Sequence, residues 1–171
     1  MPSFDDIKPF TRDGRYHIDI QLNHFRRTIE KYIDEYNLQL NPDFQRGHVW
    51  TRKQQVDFIE YLLRDGISPC IRFNHPNWMG SWEGDMVCVD GLQRCTAILQ
   101  FLDDKFKVFG GFYSEFDGFS SVSISIRIND LKTRADVLKW YIDLNSGGTV
   151  HTDEDIQKVK KLLDKEVKGW I

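Results

Sequence analysis

Apolar and polar residues follow two different periods along this chain, and each change of period marks a boundary between predicted elements. Apolar residues recur every three or four positions from Leu22 to Tyr36, which predicts an amphipathic helix over residues 23–37. Strict alternation from Val122 to Ile128 predicts a half-buried strand instead. The helical period returns in four further segments: residues 51–66, 92–102, 133–144 and 152–165.

Short apolar runs bounded by turn-forming residues predict the remaining strands. These runs are residues 16–20, 70–73, 86–89 and 106–109. Helices and strands therefore mix without strict alternation, which is typical of an α+β fold. We expect one domain over residues 1–171, a small mixed sheet flanked by helices, with an N-terminal arm at 1–21 and a motif-bearing core at 38–163.

Local signals at the helix ends agree with these periods. Thr51 followed by Gln54 has the spacing of a capping box, and Gly66 is the predicted C-terminal stop of the same helix. Thr152 and Asp155 resemble a second capping box at the start of the last helix.

The bulk composition limits the class of protein. With 40% hydrophobic and 29% charged residues, the chain matches an ordinary globular domain. Its net charge of −3 gives no support for a basic nucleic-acid-binding domain, although charge can segregate to one face. Three cysteines without a Cys-x-x-Cys pair argue against a disulfide framework or a zinc ribbon. We see neither a signal peptide nor a membrane-spanning segment, and expect a cytoplasmic protein without membrane contact.

Three polar segments carry the candidate chemistry. The first, Asn41–Trp50, places the pair Gln45-Arg46 in a loop just before a helix. The second, Asp90–Arg94, joins a predicted strand to a predicted helix. The third, Asn145–Thr149, follows the fourth predicted helix.

The junction at Asp90–Arg94 has the properties of an anion site. Gly91 permits a tight turn, and the next three backbone N–H groups then lie in a first helical turn, where they lack intrahelical partners and attract negative charge. Arg94 adds a forked cationic contact for phosphate or carboxylate, and Asp90 beside a phosphate could hold a divalent metal or orient water. The structural alternative is that Asp90 caps the helix and Arg94 pairs with Asp90 or another acid.

Taken in order, the motifs Phe44-Gln45-Arg46, Asp90-Gly91-Leu92-Gln93-Arg94 and Asn145-Ser146-Gly147-Gly148 resemble those of one branch of the ParB/sulfiredoxin-like superfamily. That branch carries an Asp-Gly-Gln-Gln-Arg motif. It includes the domain of unknown function 262, found at the N-terminus of GmrSD-type restriction enzymes and in the phosphorothioation-sensing protein SspE. The resemblance covers about residues 38–163.

This resemblance implies a ParB-like nucleotide-binding domain that acts, with or without hydrolysis of a nucleoside triphosphate, in bacterial or phage DNA metabolism or defence. The implied cofactor is a nucleoside triphosphate with Mg²⁺, and the implied partners are the nucleotide and either DNA or a defence-system protein. The implied catalytic residues are Asp90, Gln93 and Arg94. The implied ligand-binding residues are Gln45, Arg46, Gly91, Asn145, Gly147 and Gly148.

Two departures from the family pattern narrow the expected chemistry. Leu92 stands where the motif has its first glutamine, which affects hydrolysis more than binding. Leu92 also takes the position of sulfiredoxin's reactive cysteine, so reductase activity is not expected. None of the five histidines forms a metal-like pair, so His-Asn-His nuclease chemistry is not expected either.

Two alternative functions stay open on the sequence. The first is a non-catalytic module that binds DNA or protein, for example in phage counter-defence, through Trp78 and Trp82 or through the aromatic segment 109–119. For the two tryptophans and for the aromatic segment, the competing interpretation is that their rings pack onto the core and bind no partner. The second is a metal-dependent nuclease with Asp43, Asp85 and Asp90 as ligands. His48 is a weaker candidate proton carrier.

Overall fold

The computed structural model describes residues 3, 6–7, 16–47, 49–118, 120–146 and 153–168. A four-stranded mixed sheet is flanked by helices, which confirms the predicted α+β class. The elements, in chain order, are β1 (Tyr16–Gln21), α1 (Leu22–Tyr36), α2 (Arg52–Leu63), β2 (Ile71–Asn74), β3 (Val87–Asp90), α3 (Leu92–Leu102), β4 (Ser123–Asn129), α4 (Arg134–Ser146) and α5 (Asp153–Lys168).

The strands lie in the order β1-β4-β2-β3. Strands β2 and β4 are parallel, whereas β1 pairs with β4 and β3 pairs with β2 in antiparallel register. Strand β3 therefore forms one edge of the sheet, and its last residue, Asp90, leads directly into α3. This topology brings the start of α3 next to the start of β2 although the two lie some twenty residues apart in sequence.

The helix ends follow local rules, with one shift from the prediction. At the start of α2, Thr51 and Gln54 form the predicted capping box, in which each side chain bonds the other residue's backbone N–H. At its end, the left-handed residue is Asp65, with a φ of 64°, and not the predicted Gly66. Gly66 instead donates its N–H to the Tyr61 carbonyl over 2.9 Å.

Two hydrophobic clusters stabilise the fold, one on each side of the sheet. The larger cluster packs α1, α2 and α3 against the inner sheet face, where Ile71, Phe73 and Ile126 are fully buried. The smaller cluster joins α4 and α5 to the edge strand through Phe44, Val89 and neighbouring apolar residues. As a result, the loop that carries Phe44 is fixed beside the end of β3.

The predicted strand at residues 106–109 is wrong. Val108 and Gly111 form an isolated bridge, and the chain reverses between them with positive φ angles at Phe109 (50°) and Gly110 (84°). A short 3₁₀ turn follows at Tyr113–Glu115. This tight reversal leaves too few residues for a ladder of strand hydrogen bonds. The aromatic side chains that follow, Tyr113 and Phe116, pack on Phe101.

Several other expectations concern single side chains. Trp78 is buried at 9% exposure among aromatic rings, whereas its neighbour Trp82 is 42% exposed. The cysteines are free thiols, and Cys88 and Cys95 are fully buried. No described helix has the length and apolar character needed to cross a bilayer.

Three residues named in the sequence predictions lie outside the described residues. They are the predicted helix cap Thr152, the candidate proton carrier His48 and the aromatic residue Phe119.

Candidate functional site

A cleft of about 650 Å³ opens where β3 ends and α3 begins. One wall is the loop before α2 and another is the C-terminal part of α4, from which Tyr141, Leu144 and Asn145 contribute. Seven of the nine predicted site residues line this cleft: Gln45, Arg46, Asp90, Gly91, Gln93, Arg94 and Asn145. The other two, Gly147 and Gly148, lie outside the described residues.

The turn that starts α3 depends on a glycine. Gly91 has a φ of 102°, in the left-handed region, and a Cβ there would lie 3.1 Å from both the Arg94 Nη2 and the Ile71 side chain. The first intrahelical bond runs from the Cys95 N–H to the Gly91 carbonyl over 2.8 Å. The N–H groups of residues 92–94 therefore have no intrahelical acceptor, and Gly91 has no side chain to cap them. Residues 91–94 all line the cleft, so the start of α3 has the features of an anion site.

Asp90 is shared by two arginines. Its Oδ2 accepts from Arg72 Nη1 at 2.7 Å and from Arg94 Nη2 at 3.0 Å. Both guanidinium groups also donate to the Cys70 carbonyl, at 3.4 and 3.3 Å. The alternative interpretation of the sequence was an ion pair between Arg94 and Asp90 together with a helix cap by Asp90. The ion pair is present, but no side chain caps the start of α3. Two cations around one carboxylate leave a net positive charge beside the cleft.

Arg94 is fixed more tightly than a surface arginine. Its side chain is 17% exposed, and its Nε is buried without a hydrogen-bond partner in the described part of the chain. The planar fork is therefore oriented before any ligand arrives, which lowers the entropic cost of a contact.

Gln93 fixes the facing loop. Its Oε1 accepts from the N–H groups of Val49 and Trp50, at 2.9 and 3.1 Å, and its Nε2 donates to the Gly47 carbonyl at 2.7 Å. One amide N–H of Gln93 is left for another acceptor. The family resemblance implied a catalytic role for Gln93, but most of the hydrogen-bonding groups of its side chain hold the loop in this structure.

Gln45 makes the complementary connection from the loop to the sheet. Its Nε2 donates to the carbonyl oxygens of Cys88 and Val89, at 3.2 and 3.0 Å. Together, Gln45 and Gln93 hold the loop before α2 against the β3–α3 junction, and Arg46 of this loop lines the same cleft as Arg94. Both glutamines are positioning residues in this structure.

Sequence reasoning missed Arg72. This residue is the only charged one in the apolar run at 70–73, and the β2–β3 register places it directly opposite Asp90. A lone arginine within a buried strand was the available signal, because such a charge needs a partner. Burial raises the pKa of the adjacent Cys70 thiol, and the arginines around it oppose that rise.

The three aspartates of the nuclease alternative do not converge. Asp43 forms a two-point ion pair with Arg134 at 2.7 and 2.8 Å, and Asp85 accepts from Asn37 and Gln39 at 2.9 and 3.1 Å. The described residues contain no group of three His, Cys, Asp or Glu side chains that could hold a metal ion. The idea that Asp43, Asp85 and Asp90 form one metal site is therefore wrong, because each side chain is bound to a separate polar partner.

Buried thiols give no sign of cysteine chemistry. Burial raises the pKa of Cys95 to about 12 and raises that of Cys88 well above its usual range. Both groups are therefore protonated near neutral pH.

Comparison with known families gives one match. Residues 29–119, which are 91 of the 171 residues, match the family described as GmrSD restriction endonuclease, N-terminal domain. The matched range includes the loop at residues 45–50, all of β2 and β3, and all of α3. Searches of the curated proteins and of the solved structures return no significant match.

Proposed function

The chain belongs to the family of GmrSD restriction endonuclease N-terminal domains, and from this premise we propose that it is a nucleotide-binding domain that acts in restriction-type defence against foreign DNA. The observation that carries the proposal is the convergence of cationic and N–H donors on one cleft. The first turn of α3 with Arg94 lies on one side, and Arg46 lies on the facing loop.

The cleft offers separate surfaces to the two halves of a nucleotide. Phosphate oxygens would accept from the N–H groups of residues 92–94 and from the oriented fork of Arg94. Trp50 lines the same cleft and is half-buried, so its ring offers flat apolar area to a base or a ribose. A volume of about 650 Å³ is sufficient for such a ligand.

The side chains support binding more strongly than hydrolysis. Asp90 is neutralised by two arginines, and Gln93 uses both lone pairs of its amide oxygen to hold the loop. A divalent cation next to Asp90 would be repelled by Arg72 and Arg94, so the donor set fits an anion and does not fit a protein-held metal. In this proposal Mg²⁺ arrives only as the counter-ion of the phosphates.

Thermal unfolding with each of the four nucleoside triphosphates, with and without Mg²⁺, tests this function. A ligand at a hundredfold its Kd stabilises the folded state by about 2.7 kcal/mol. For a domain of this size that corresponds to roughly 5–10 °C in Tm. We expect the shift with at least one nucleotide, and we expect it to persist in EDTA, because the protein groups hold the phosphate directly.

Variants connect that shift to the cleft. Arg94→Ala and Arg46→Ala are expected to lose it, whereas Arg27→Ala, a matched removal of an exposed guanidinium on α1, is expected to keep it. Arg94→Lys retains the charge without the fork, and a partial shift in that variant would separate lost binding from lost folding. Equal shifts in Arg94→Ala and in the unchanged protein would refute the proposal. No shift with any nucleotide would favour the non-catalytic DNA- or protein-binding module.

A further inference from the structure

Strand β1 forms the edge of the sheet that lies farthest from the cleft. The opposite edge strand, β3, is covered, because Gln39 forms a bridge with Val87 and the Gln45 side chain donates to two of the β3 carbonyl oxygens. No strand or isolated bridge lies along the free edge of β1 within the residues that the structure describes. An uncovered edge of this kind is a template for a further strand.

The hydrogen-bond pattern identifies the residues whose backbone groups lie at that edge. Strand β1 pairs with β4 without interruption over its six residues, and the N–H of the next residue, Leu22, donates to the Val122 carbonyl over 2.9 Å. Bonded and non-bonded pairs alternate in an antiparallel ladder, so the even-numbered residues of β1 exchange bonds with β4. The backbone N–H and C=O groups of the odd-numbered residues, which include His17 and Asp19, therefore point away from the sheet.

The edge lacks most of the features that keep an edge strand from pairing. The six residues of β1 include neither lysine nor proline, and the ladder with β4 has no register shift. The two charged side chains lie on the solvent face, where His17 is 49% exposed and Asp19 is 60% exposed. Ile18 faces the core side but is only half-buried, so apolar area at the edge remains in contact with water.

We propose that β1 pairs with β1 of a second copy of this chain, antiparallel about a two-fold axis at Ile18, so that two four-stranded sheets join into one. The outward backbone groups bond only if odd-numbered residues lie opposite odd-numbered residues. Among these registers, one sets His17 opposite the partner's Asp19, and the two-fold axis repeats that pair. The neighbouring registers set Asp19 opposite the partner's Asp19, or His17 opposite the partner's His17, and like groups in such positions repel each other.

The paired strands improve contacts that one chain makes poorly. Within the chain, His17 Nε2 lies 3.7 Å from Asp19 Oδ1, which is longer than a hydrogen bond, because alternate residues of a strand are about 6.7 Å apart. Across a bonded antiparallel pair the Cα atoms are about 5.5 Å apart, so the partner's carboxylate comes closer. Imidazole has an N–H donor in either charge state, so this contact does not require a protonated histidine. At the axis, Ile18 meets the partner's Ile18, and both side chains leave water.

The proposal goes beyond nucleotide binding and does not depend on it. Strands β1 and β3 are the opposite edges of the sheet, and none of residues 16–21 lines the cleft. With neighbouring strands about 4.8 Å apart, the two clefts of the dimer would lie at the two ends of the joined sheet, roughly 34 Å from each other. Arg94→Ala is therefore expected to dimerise like the unchanged protein, so that failure of one proposal is distinguishable from failure of the other.

Sedimentation velocity of the complete protein tests the dimer. The contact is smaller than a standard interface, so the series should extend from about 1 to about 300 µM, and we expect the mass to rise from 20.2 kDa to twice that value. His17→Glu sets two carboxylates opposite each other on each side of the axis and should weaken dimerisation at least about tenfold. The same substitution sets an acid opposite Arg127 within the chain, so the fold should persist. The double variant His17→Glu/Asp19→Lys exchanges the two charges and should restore the dimer.

The matched control is Gln157→Glu, which adds a carboxylate to an exposed position of α5 and should leave dimerisation unchanged. A single 20.2 kDa species at every concentration would overturn the proposal and leave the edge for a strand of another protein. Equal dimerisation of His17→Glu and the control would also overturn it.

Cysteine substitutions test the register of the two strands. Ile18→Cys should form a disulfide between two chains in air, because the paired positions have Cα atoms about 4.5 Å apart. Asp19→Cys should not, because its two positions are more than about 7 Å apart in this register. The chain's own three cysteines are present in both variants, so they do not account for a difference. Cross-linking of Asp19→Cys in preference to Ile18→Cys, or of neither in a protein that dimerises, would refute the pairing.

Discussion

Replacing Gln93 by alanine is expected to release the loop at residues 45–50 from the start of α3. The substitution deletes an acceptor that two backbone N–H groups share, those of Val49 and Trp50, and a donor to the Gly47 carbonyl. Alanine is a good helix former, so α3 itself should persist. The perturbation is therefore local and concerns how firmly the cleft wall is held.

The magnitude follows from these three hydrogen bonds, which measure 2.9, 3.1 and 2.7 Å. A typical intramolecular hydrogen bond contributes about 0.5–1.5 kcal/mol net, and the lower half of that range applies here because part of the loop is exposed to water. We therefore expect the free energy of opening the loop to fall by about 1.5–3 kcal/mol. Since 1.4 kcal/mol is a factor of ten, the two amides should exchange roughly 10- to 100-fold faster.

Native-state hydrogen exchange at the Val49 and Trp50 amides measures this opening directly. The matched control is Gln100→Ala, the same substitution two turns later on α3, where the side chain contacts Arg52 of α2 and not the loop. Exchange at the two amides should be unchanged in that variant. If Gln93→Ala also left both exchange rates unchanged, the assignment of Gln93 as the residue that holds the loop would be wrong.

Three further predictions follow from the backbone, a phenol and the thiols. Gly91→Ala should lower the free energy of unfolding, measured in urea, by about 1–3 kcal/mol. Gly110→Ala should lower it less. Both glycines have positive φ, but only a Cβ at position 91 would meet neighbouring atoms. Burial raises the pKa of Tyr32 to about 12 from its usual 10. The free energy of unfolding should therefore fall as the pH rises from 10 to 12, because the unfolded chain ionises first. Tyr32→Phe should remove this contribution to the loss of stability in alkaline denaturation. Maleimide labelling of the native protein at neutral pH should modify Cys70 first and leave Cys95 unmodified, whereas unfolded protein should label at all three cysteines. Rapid native labelling of all three would contradict the burial.

The local elements and the junction of the candidate site could be predicted from the sequence because their signals lie within a few residues. The apolar period of α1, the alternation of β4 and the capping box at Thr51 involve neighbours no more than four positions apart. The Asp90-Gly91 turn has the same property, since Gly91 alone permits the left-handed φ that starts α3.

What each polar side chain of the cleft does was decided only by the tertiary structure. Arg72 and Asp90 are separated by 18 residues, and Gln93 and Gly47 by 46, so no periodic pattern connects them. The strand order β1-β4-β2-β3 brings these groups together, and it gives Arg127 its place beside Arg72. Local geometry in the sequence thus indicated the Asp90–Arg94 junction, and the family resemblance implied the other candidate residues. Whether each holds the loop, pairs with Asp90 or faces solvent depends on partners that only the packed sheet places within hydrogen-bond distance.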